Sequence, residues 1–254
     1  MASPQDKPDF VKSDYLNITQ LASNLGWSVN FIEGLVRGEK LPGMEISGVW
    51  HFRRDDVIDW LEQKIQTLDV NRVLELEKRV EKSLVADGSY RRPVATDRLV
   101  SRMPDDGISL GVHIENKTDV LRALSCLAER TGLLYDRDYL LASLMDREAL
   151  CSTALPGGVA LCHPRRPIPN IISTQFVCFL RTLHPVEFGA EDEEGTSLFF
   201  LLCAPDDRSH LYGLARVARI LHHGVLEKLK TATTEAELKM AITFVENDLN
   251  AEIY

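Results

Sequence analysis

The sequence lacks several features that would place it in a common class of proteins. No CxxC pair occurs among its five cysteines, which excludes a zinc knuckle and a disulfide framework. No apolar run approaches the roughly 18 residues of a membrane span. The first ten residues, MASPQDKPDF, lack the apolar core of a signal peptide. We therefore expect a cytoplasmic protein with reduced cysteines, no membrane insertion, no metal centre and no cofactor.

Positive charge is also scarce. The chain has 29 Lys and Arg against 38 Asp and Glu, a formal net charge of −9. This argues against a broadly cationic nucleic-acid-binding surface, although a local basic face stays possible. With 44% hydrophobic and 26% charged residues in 254, the chain can bury a core as one large domain or two smaller ones.

Residues 14–64 have the pattern of a small domain, after a first segment, 1–13, that we predict to be disordered. Asn17 with Gln20 three positions later is an N-cap signature, and the apolar residues that follow have helical spacing. A turn around Ser47 and Gly48 separates two alternating stretches, which predicts a hairpin. The predicted order is helix, tight turn, helix, hairpin, helix.

Residues 65–107 connect this domain to the rest of the chain. Apolar positions recur every three or four residues from 61 to 84, which predicts an amphipathic helix that continues to about Ala86. Such a helix either forms a homodimer through residues 61–84 or packs on its own domain. Residues 87–107 lack periodicity and are typical of a linker.

Residues 108–254 combine apolar strand segments with amphipathic helices, which indicates α/β (α+β) layering in a second domain. Thr174–Leu180 and Leu198–Cys203 are apolar enough to be central strands. Ser209–Leu221 has helical spacing, and Thr234 with Glu237 forms a capping box for a last helix.

The stretch GGVALCHPRRPIP places His163 where an apolar run ends and a proline-rich loop begins. The residues alone leave three interpretations open: a phosphoryl-transfer site, a metal ligand or an ordinary loop histidine. A neutral imidazole is a competent nucleophile toward phosphorus. The glycine pair at 157 and 158 offers backbone N–H groups that could hold an anion.

Phosphoryl transfer needs cationic or N–H donors around the moving group more than covalent help. Arg147, Arg165 and Arg166 are the candidate cations, although Arg147 with Glu148 could be only a surface ion pair. His210 at the start of a predicted helix could bind a phosphoryl group together with the helix N-terminus.

Residues 108 to about 248 resemble the enzyme IIA domain of the mannitol/fructose class of the sugar phosphotransferase system, including its nitrogen-regulatory members. Three segments carry the resemblance, and they are LLASLMDREALCSTALPGGVALCHPRRPIP, VEFGAEDEEGTSLFFLLCAPDDRSHLYGLARVARIL and LKTATTEAELKMAI. The resemblance implies a mixed sheet flanked by helices, with the site in a shallow surface depression. It also implies the histidine phosphocarrier protein as phosphoryl donor.

By this resemblance His163 is the phosphorylated histidine, His210 is the second active-site histidine and Arg147 lines the pocket. The sequence departs from the family pattern at Cys162, where the family has proline. Proline fixes φ and removes an N–H, and cysteine does neither. Cys162 is either a redox-sensitive thiol or a buried small apolar residue.

Residues 14–62 resemble the excisionase-like, MerR-type winged helix-turn-helix, on the segments LNITQLASNLGWSVNFIEGLVRGEKLPG and VWHFRRDDVIDWLEQ. In that family the helix that starts near Ser28 reads DNA and the hairpin is the wing. The predicted DNA contacts are Asn30, Arg37, Arg53 and Arg54. The segment 11–65 has six cations and eight anions, which weakens phosphate neutralisation.

Together these patterns predict a DNA-binding regulator whose IIA-like domain is phosphorylated on a histidine, so that flux through the phosphotransferase system controls transcription. One alternative is a phosphocarrier in a transport or signalling relay, with a helix-turn-helix that docks it to a permease domain or regulatory protein. Another is an adaptor that keeps the IIA fold without being phosphorylated.

Overall fold

The structure is a computed structural model that describes residues 15–67, 70–86 and 98–251. Contacts within the chain separate two compact units, residues 1–63 and 64–254. The predicted disordered segment 1–13 lies outside the described residues.

The first unit has the predicted order of helices and hairpin, preceded by a two-residue strand. Its elements are β1 (Tyr15–Leu16), α1 (Ile18–Leu25), α2 (Val29–Gly38), β2 (Met44–Ile46), β3 (Val49–Arg53) and the start of α3 (Arg54–Thr67). The three strands form an antiparallel sheet in the order β1-β3-β2.

Local side-chain chemistry explains these boundaries. Asn17 accepts the N–H of Gln20 at 2.9 Å while the Gln20 side chain accepts the N–H of Asn17 at 2.9 Å, so the predicted capping box forms. The hairpin turns at Ser47 and Gly48, whose φ angles of 52° and 79° are the positive pair that a tight two-residue turn requires. Ile32 of α2 is among the fully buried side chains.

Over the predicted helix from 61 to 86 the structure describes α3 up to Thr67 and α4 (Val70–Ala86), and residues 68 and 69 lie outside the described part. Val73, Glu77 and Val80, three or four residues apart on one face of α4, are buried within the chain. These side chains of α4 therefore pack within the chain, and the homodimer through residues 61–84 stays a prediction.

The second unit contains α4 and most of the remaining regular structure. Two 3-10 turns, Leu99–Arg102 and Asp105–Gly107, lie in the part of the predicted linker that the structure describes. The elements that follow are β4 (Ile108–Val112), α5 (Lys117–Arg130), α6 (Arg137–Leu150), β5 (Ala154–Leu155), β6 (Val159–Cys162), β7 (Phe176–Val186), β8 (Thr196–Cys203), α7 (Asp207–His222), α8 (Leu226–Thr231) and α9 (Glu235–Ala251).

Five of these strands form one mixed sheet in the order β4-β7-β8-β6-β5. The pairs β4–β7 and β6–β8 are parallel, whereas β7–β8 and β5–β6 are antiparallel. The mixed sheet that the resemblance implied is thus confirmed. The central strands β6 and β8 are buried along almost their whole length, so β6 ends deep in the unit.

Among the described residues, no helix combines the length and the apolar composition needed to cross a membrane.

Candidate active site

His163 is the first residue after strand β6. Its side chain is buried, with 1% relative exposure. Nδ1 lies 2.7 Å from the carbonyl oxygen of Leu161, and Nε2 lies 2.9 Å from the Nε of Arg147. A carbonyl only accepts and a guanidinium N–H only donates, so both contacts select the tautomer with the proton on Nδ1. The lone pair of the imidazole is therefore on Nε2.

Arg147 comes from the last turn of α6 and is itself buried. While Nε donates to His163, Nη1 donates to the carbonyl oxygen of Cys151 at 3.1 Å and lies 3.4 Å from its Sγ. The planar guanidinium is thus held at two points in this structure, with one N–H directed at the imidazole.

His210 lies in the first turn of α7, whose N-cap is Asp206. It is fully buried, and its ring centroid is 5.1 Å from that of His163, with the rings at 64°. The structure thus brings together the three predicted residues His163, His210 and Arg147. All three side chains are buried, which differs from the shallow surface depression that the resemblance implied.

The close packing of α7 on the sheet explains how His210 reaches His163. A Cβ atom at Gly213 would lie 2.7 Å from Nε2 of Gln175 and 2.8 Å from Cδ1 of Leu202, distances that real contacts do not tolerate. The Gln175 amide also donates to the carbonyl of Ser209 at 2.9 Å. Glycine at 213 therefore permits the approach that places the first turn of α7 beside the end of β6.

Glu148 was missed as a site residue by sequence reasoning, which suggested a surface ion pair with Arg147. It is buried, and its carboxylate accepts the N–H and the hydroxyl of Thr153, at 3.1 and 2.7 Å, and the ammonium of Lys117 at 3.0 Å. This carboxylate joins the ends of α6 and β5. The signal available in the sequence was the close spacing of Glu148 and Thr153.

Cys162, which replaces the proline of the family pattern, continues β6 in parallel register with Leu201 of β8. Its Sγ lies 3.8 Å from the Thr153 hydroxyl. Burial raises the pKa of the thiol far above its usual value, and the charge of Glu148 adds to the increase. The structure favours the buried apolar residue over the redox-sensitive thiol, because reactivity needs the thiolate.

The two predicted loop cations, Arg165 and Arg166, follow His163 in the loop after β6. Arg165 is exposed, and its backbone N–H donates to the hydroxyl of Ser143 at 3.2 Å. Arg166 donates from Nη1 to the carbonyl of Arg165 at 2.6 Å. The first of these contacts joins the loop to α6.

Of the glycine pair that was predicted to offer N–H groups to an anion, Gly157 has an acceptor within the chain. Its N–H donates to the carboxylate of Asp192 at 3.0 Å. Asp192 belongs to the acidic turn that follows β7, so this turn stabilises the loop that leads into β6.

The four predicted DNA contacts lie in the first unit, and Asn30, Arg37, Arg53 and Arg54 are all exposed. Two of these cations face carboxylates of their own unit. The Arg37 guanidinium is 3.2 Å from Glu33, and the Arg53 guanidinium is 3.9 Å from Asp56.

Comparison with known proteins identifies the second unit. The family described as "Phosphoenolpyruvate-dependent sugar phosphotransferase system, EIIA 2" matches residues 103–244, more than half of the chain. The match includes the buried histidine pair and Arg147.

Individual relatives agree. A fructose-specific EIIA component of Haloferax volcanii is 29% identical over 153 residues, which are 59% of this chain and 92% of that protein. A nitrogen regulatory protein of Bradyrhizobium diazoefficiens is 32% identical over 135 residues, 52% of this chain and 85% of that protein. The crystal structure of the nitrogen regulatory protein IIA-Ntr from Neisseria meningitidis superposes with a TM-score of 0.52 at 26% identity, over 57% of this chain and 98% of that one. The chain therefore belongs to the EIIA 2 family of the phosphoenolpyruvate-dependent sugar phosphotransferase system.

Proposed function

We propose that His163 accepts a phosphoryl group from the histidine phosphocarrier of the phosphotransferase system. The observation that supports this most directly is the 2.9 Å contact between Nε of Arg147 and Nε2 of His163, with His210 packed against the same ring. The contact fixes which nitrogen has the lone pair and places a permanent cation beside it. Membership of the EIIA 2 family agrees with this chemistry.

The transfer conserves atoms and charge. Nε2 of His163 gives its lone pair to phosphorus, the P–N bond of the donor phosphohistidine breaks, and the donor nitrogen keeps that electron pair. The ring of His163 gains positive charge, which the carbonyl of Leu161 stabilises through the Nδ1–H contact. Arg147 then moves from the lone pair to the phosphoryl oxygens, whose negative charge it neutralises.

Burial adds a condition. Because His163 and His210 are both inaccessible to solvent, the donor reaches Nε2 only after a local opening. In the opened site His210, near the N-terminus of α7, donates a hydrogen bond to the phosphoryl group, and the helix dipole adds favourable potential.

The first test is phosphoryl transfer in vitro. The full chain is mixed with labelled phosphoenolpyruvate, the first enzyme of the system and the histidine phosphocarrier, and acid-labile label on the chain is measured. We expect label on the wild type and on His184→Ala, whose histidine is exposed, and none on His163→Ala. If the wild type takes no label while a consensus IIA protein is labelled in parallel, phosphoryl transfer to this chain is rejected. The remaining function is then the adaptor that keeps the IIA fold without being phosphorylated.

We also propose that residues 14–64 form a winged helix-turn-helix that binds DNA through Asn30, Arg37, Arg53 and Arg54, in a cytoplasmic regulator that couples phosphotransferase flux to transcription. The order of helices and hairpin and the exposure of the four side chains support this. Phosphorylation adds about −1.5 to −2 charge units, a change large enough to bias a second equilibrium.

The alternative for the same unit is docking to a permease domain, a regulatory protein or a second copy of the chain. The hairpin favours it, because Met44, Ile46 and Val49 near its turn are 46–52% exposed. Exposed apolar side chains at this place are better suited to contact the surface of a partner protein than the phosphates of DNA.

Mobility-shift titrations at several salt concentrations separate the two functions. DNA binding predicts an affinity that falls steeply with salt and a shallower slope for Arg54→Ala. If the unit only docks to a protein, the chain should not retard DNA in the gel even at low salt.

A further inference from the structure

Helix α4 lies outside the family match of residues 103–244, yet it belongs to the same compact unit. It packs along α7, the helix that bears His210. The face that α4 turns toward α7 includes Glu77, a carboxylate with 2% exposure. A buried charge on an added helix needs partners, and those partners connect α4 to the candidate active site.

Glu77 pairs with two arginines of α7. Its Oε1 is 3.1 Å from Nη1 of Arg216, and its Oε2 is 3.0 Å from Nε of Arg219. Glu246 of α9 accepts from Nη2 of Arg216 at 2.8 Å, and the same carboxylate oxygen accepts the N–H of Leu99 at 2.7 Å. Two buried arginines thus face the buried carboxylates of Glu77 and Glu246, with the half-buried Glu81 nearby, and a neutral side chain at 77 would remove the carboxylate that contacts both arginines.

Helix α7 connects this network to the site as a rigid element. It is buried along nearly its whole length from His210 to Leu221, with contacts to β8, α4 and α9. Arg216 is six residues after His210, about 9 Å along the helix axis at 1.5 Å per residue. A helix packed on this many sides shifts as a rigid unit. A displacement of Arg216 and Arg219 therefore also displaces the first turn, which contains His210.

We propose that Glu77 is a positioning residue for phosphoryl transfer: through Arg216 and Arg219 it fixes α7 so that His210 lies against His163. The expected effect on the rate of phosphoryl transfer rests on the proposed function. The expected effect on the position of His210 rests only on the geometry of α7. Helix α4 is then part of the phosphoacceptor unit of this chain.

The test compares Glu77→Gln with Glu75→Gln, an exposed position on the same helix. Full-length proteins receive phosphate from the phosphorylated histidine phosphocarrier at a temperature where circular dichroism shows each variant folded. We expect kcat to fall about 10-fold in Glu77→Gln with KM nearly unchanged, since small displacements of catalytic groups have effects of this size. We expect Glu75→Gln to match the wild type.

A double substitution tests the route of the effect. If Glu77 acts through Arg219, adding Arg219→Gln to Glu77→Gln has less effect on kcat than the two single changes predict together. A purely structural role for Glu77 lowers the unfolding temperature but leaves kcat of the folded protein at the value of Glu75→Gln, which would overturn the proposal.

A second measurement does not depend on phosphoryl transfer. NMR contacts between ring protons of His163 and His210 report the packing of the two rings in the wild type and in Glu77→Gln. Weakened ring contacts in the variant support positioning by α4 even if the chain takes no phosphate, whereas unchanged contacts contradict it. Failure of the proposed function and failure of this inference are therefore distinguishable.

Discussion

Arg147 and His163, 16 residues apart in sequence, meet at 2.9 Å between Nε and Nε2 inside the second unit. The contact exists because α6 ends where β6 ends, so that its last turn faces the residue after the strand. It gives the imidazole one tautomer and one cationic neighbour, the two properties that a phosphoryl acceptor requires.

Arg147→Lys tests this contact. Lysine keeps the charge but cannot reach both the imidazole and the Cys151 carbonyl with a planar fork. We expect the initial rate of phosphoryl transfer to fall by about 100-fold, the effect of removing one preorganised donor. Arg165→Lys, on the neighbouring loop, should leave the rate close to that of the wild type. Equal effects of the two changes would contradict a special role for Arg147.

Glu148→Gln tests the carboxylate that joins α6 to β5. The glutamine amide keeps the shape of the glutamate side chain but loses its negative charge. Lys117 and the Thr153 hydroxyl both donate hydrogen bonds to that charged carboxylate. We expect a loss of about 1–3 kcal/mol in the free energy of unfolding, the range for a disturbed buried hydrogen bond. Denaturant titration measures it, with the exposed Asp146→Asn as the control. A loss no larger than that of the control would show that the network contributes little.

Gly213→Ala tests the approach of α7 to the sheet. The new Cβ would overlap Gln175 and Leu202, and overpacking of this kind costs about 1–3 kcal/mol. Gly34→Ala is the matched change in helix α2, where no atom lies within 4 Å of the added carbon. It should leave stability unchanged or raise it by about 0.4–1 kcal/mol. Thermal unfolding and phosphoryl transfer of both variants check the difference.

The cysteines should divide into two classes toward a thiol reagent. Cys126 and Cys151 are exposed, whereas Cys162, Cys178 and Cys203 are buried. Burial raises the pKa of Cys178 to about 12 and that of Cys162 still further. At pH 8 the buried thiols therefore stay protonated and unreactive.

Labelling of the native chain followed by peptide mass spectrometry should find modification at Cys126 and Cys151 within minutes and at the others only after denaturation. Rapid labelling of Cys162 in the native chain would restore the redox interpretation.

Local signals in the sequence predicted most of the elements but not their ends. The Asn17 capping box and the turn at Ser47 and Gly48 depend on neighbouring residues, so the first unit has the predicted order. The apolar pattern over 61–86 predicted an amphipathic helix, and the described parts of this range, α3 and α4, are helical. Periodicity shows which face is apolar, but not what that face packs against.

The sequence by itself determined the family of the second unit and the capped helix starts, and it singled out His163, His210 and Arg147 as candidates. Only the tertiary structure decided that these three side chains are buried in contact, that Asp192 takes the N–H of Gly157, and that Glu77 pairs with Arg216 and Arg219. The physical reason is distance along the chain. Caps and turns are settled within a few residues, whereas a buried carboxylate 139 residues from its arginine finds its partner only when helices pack.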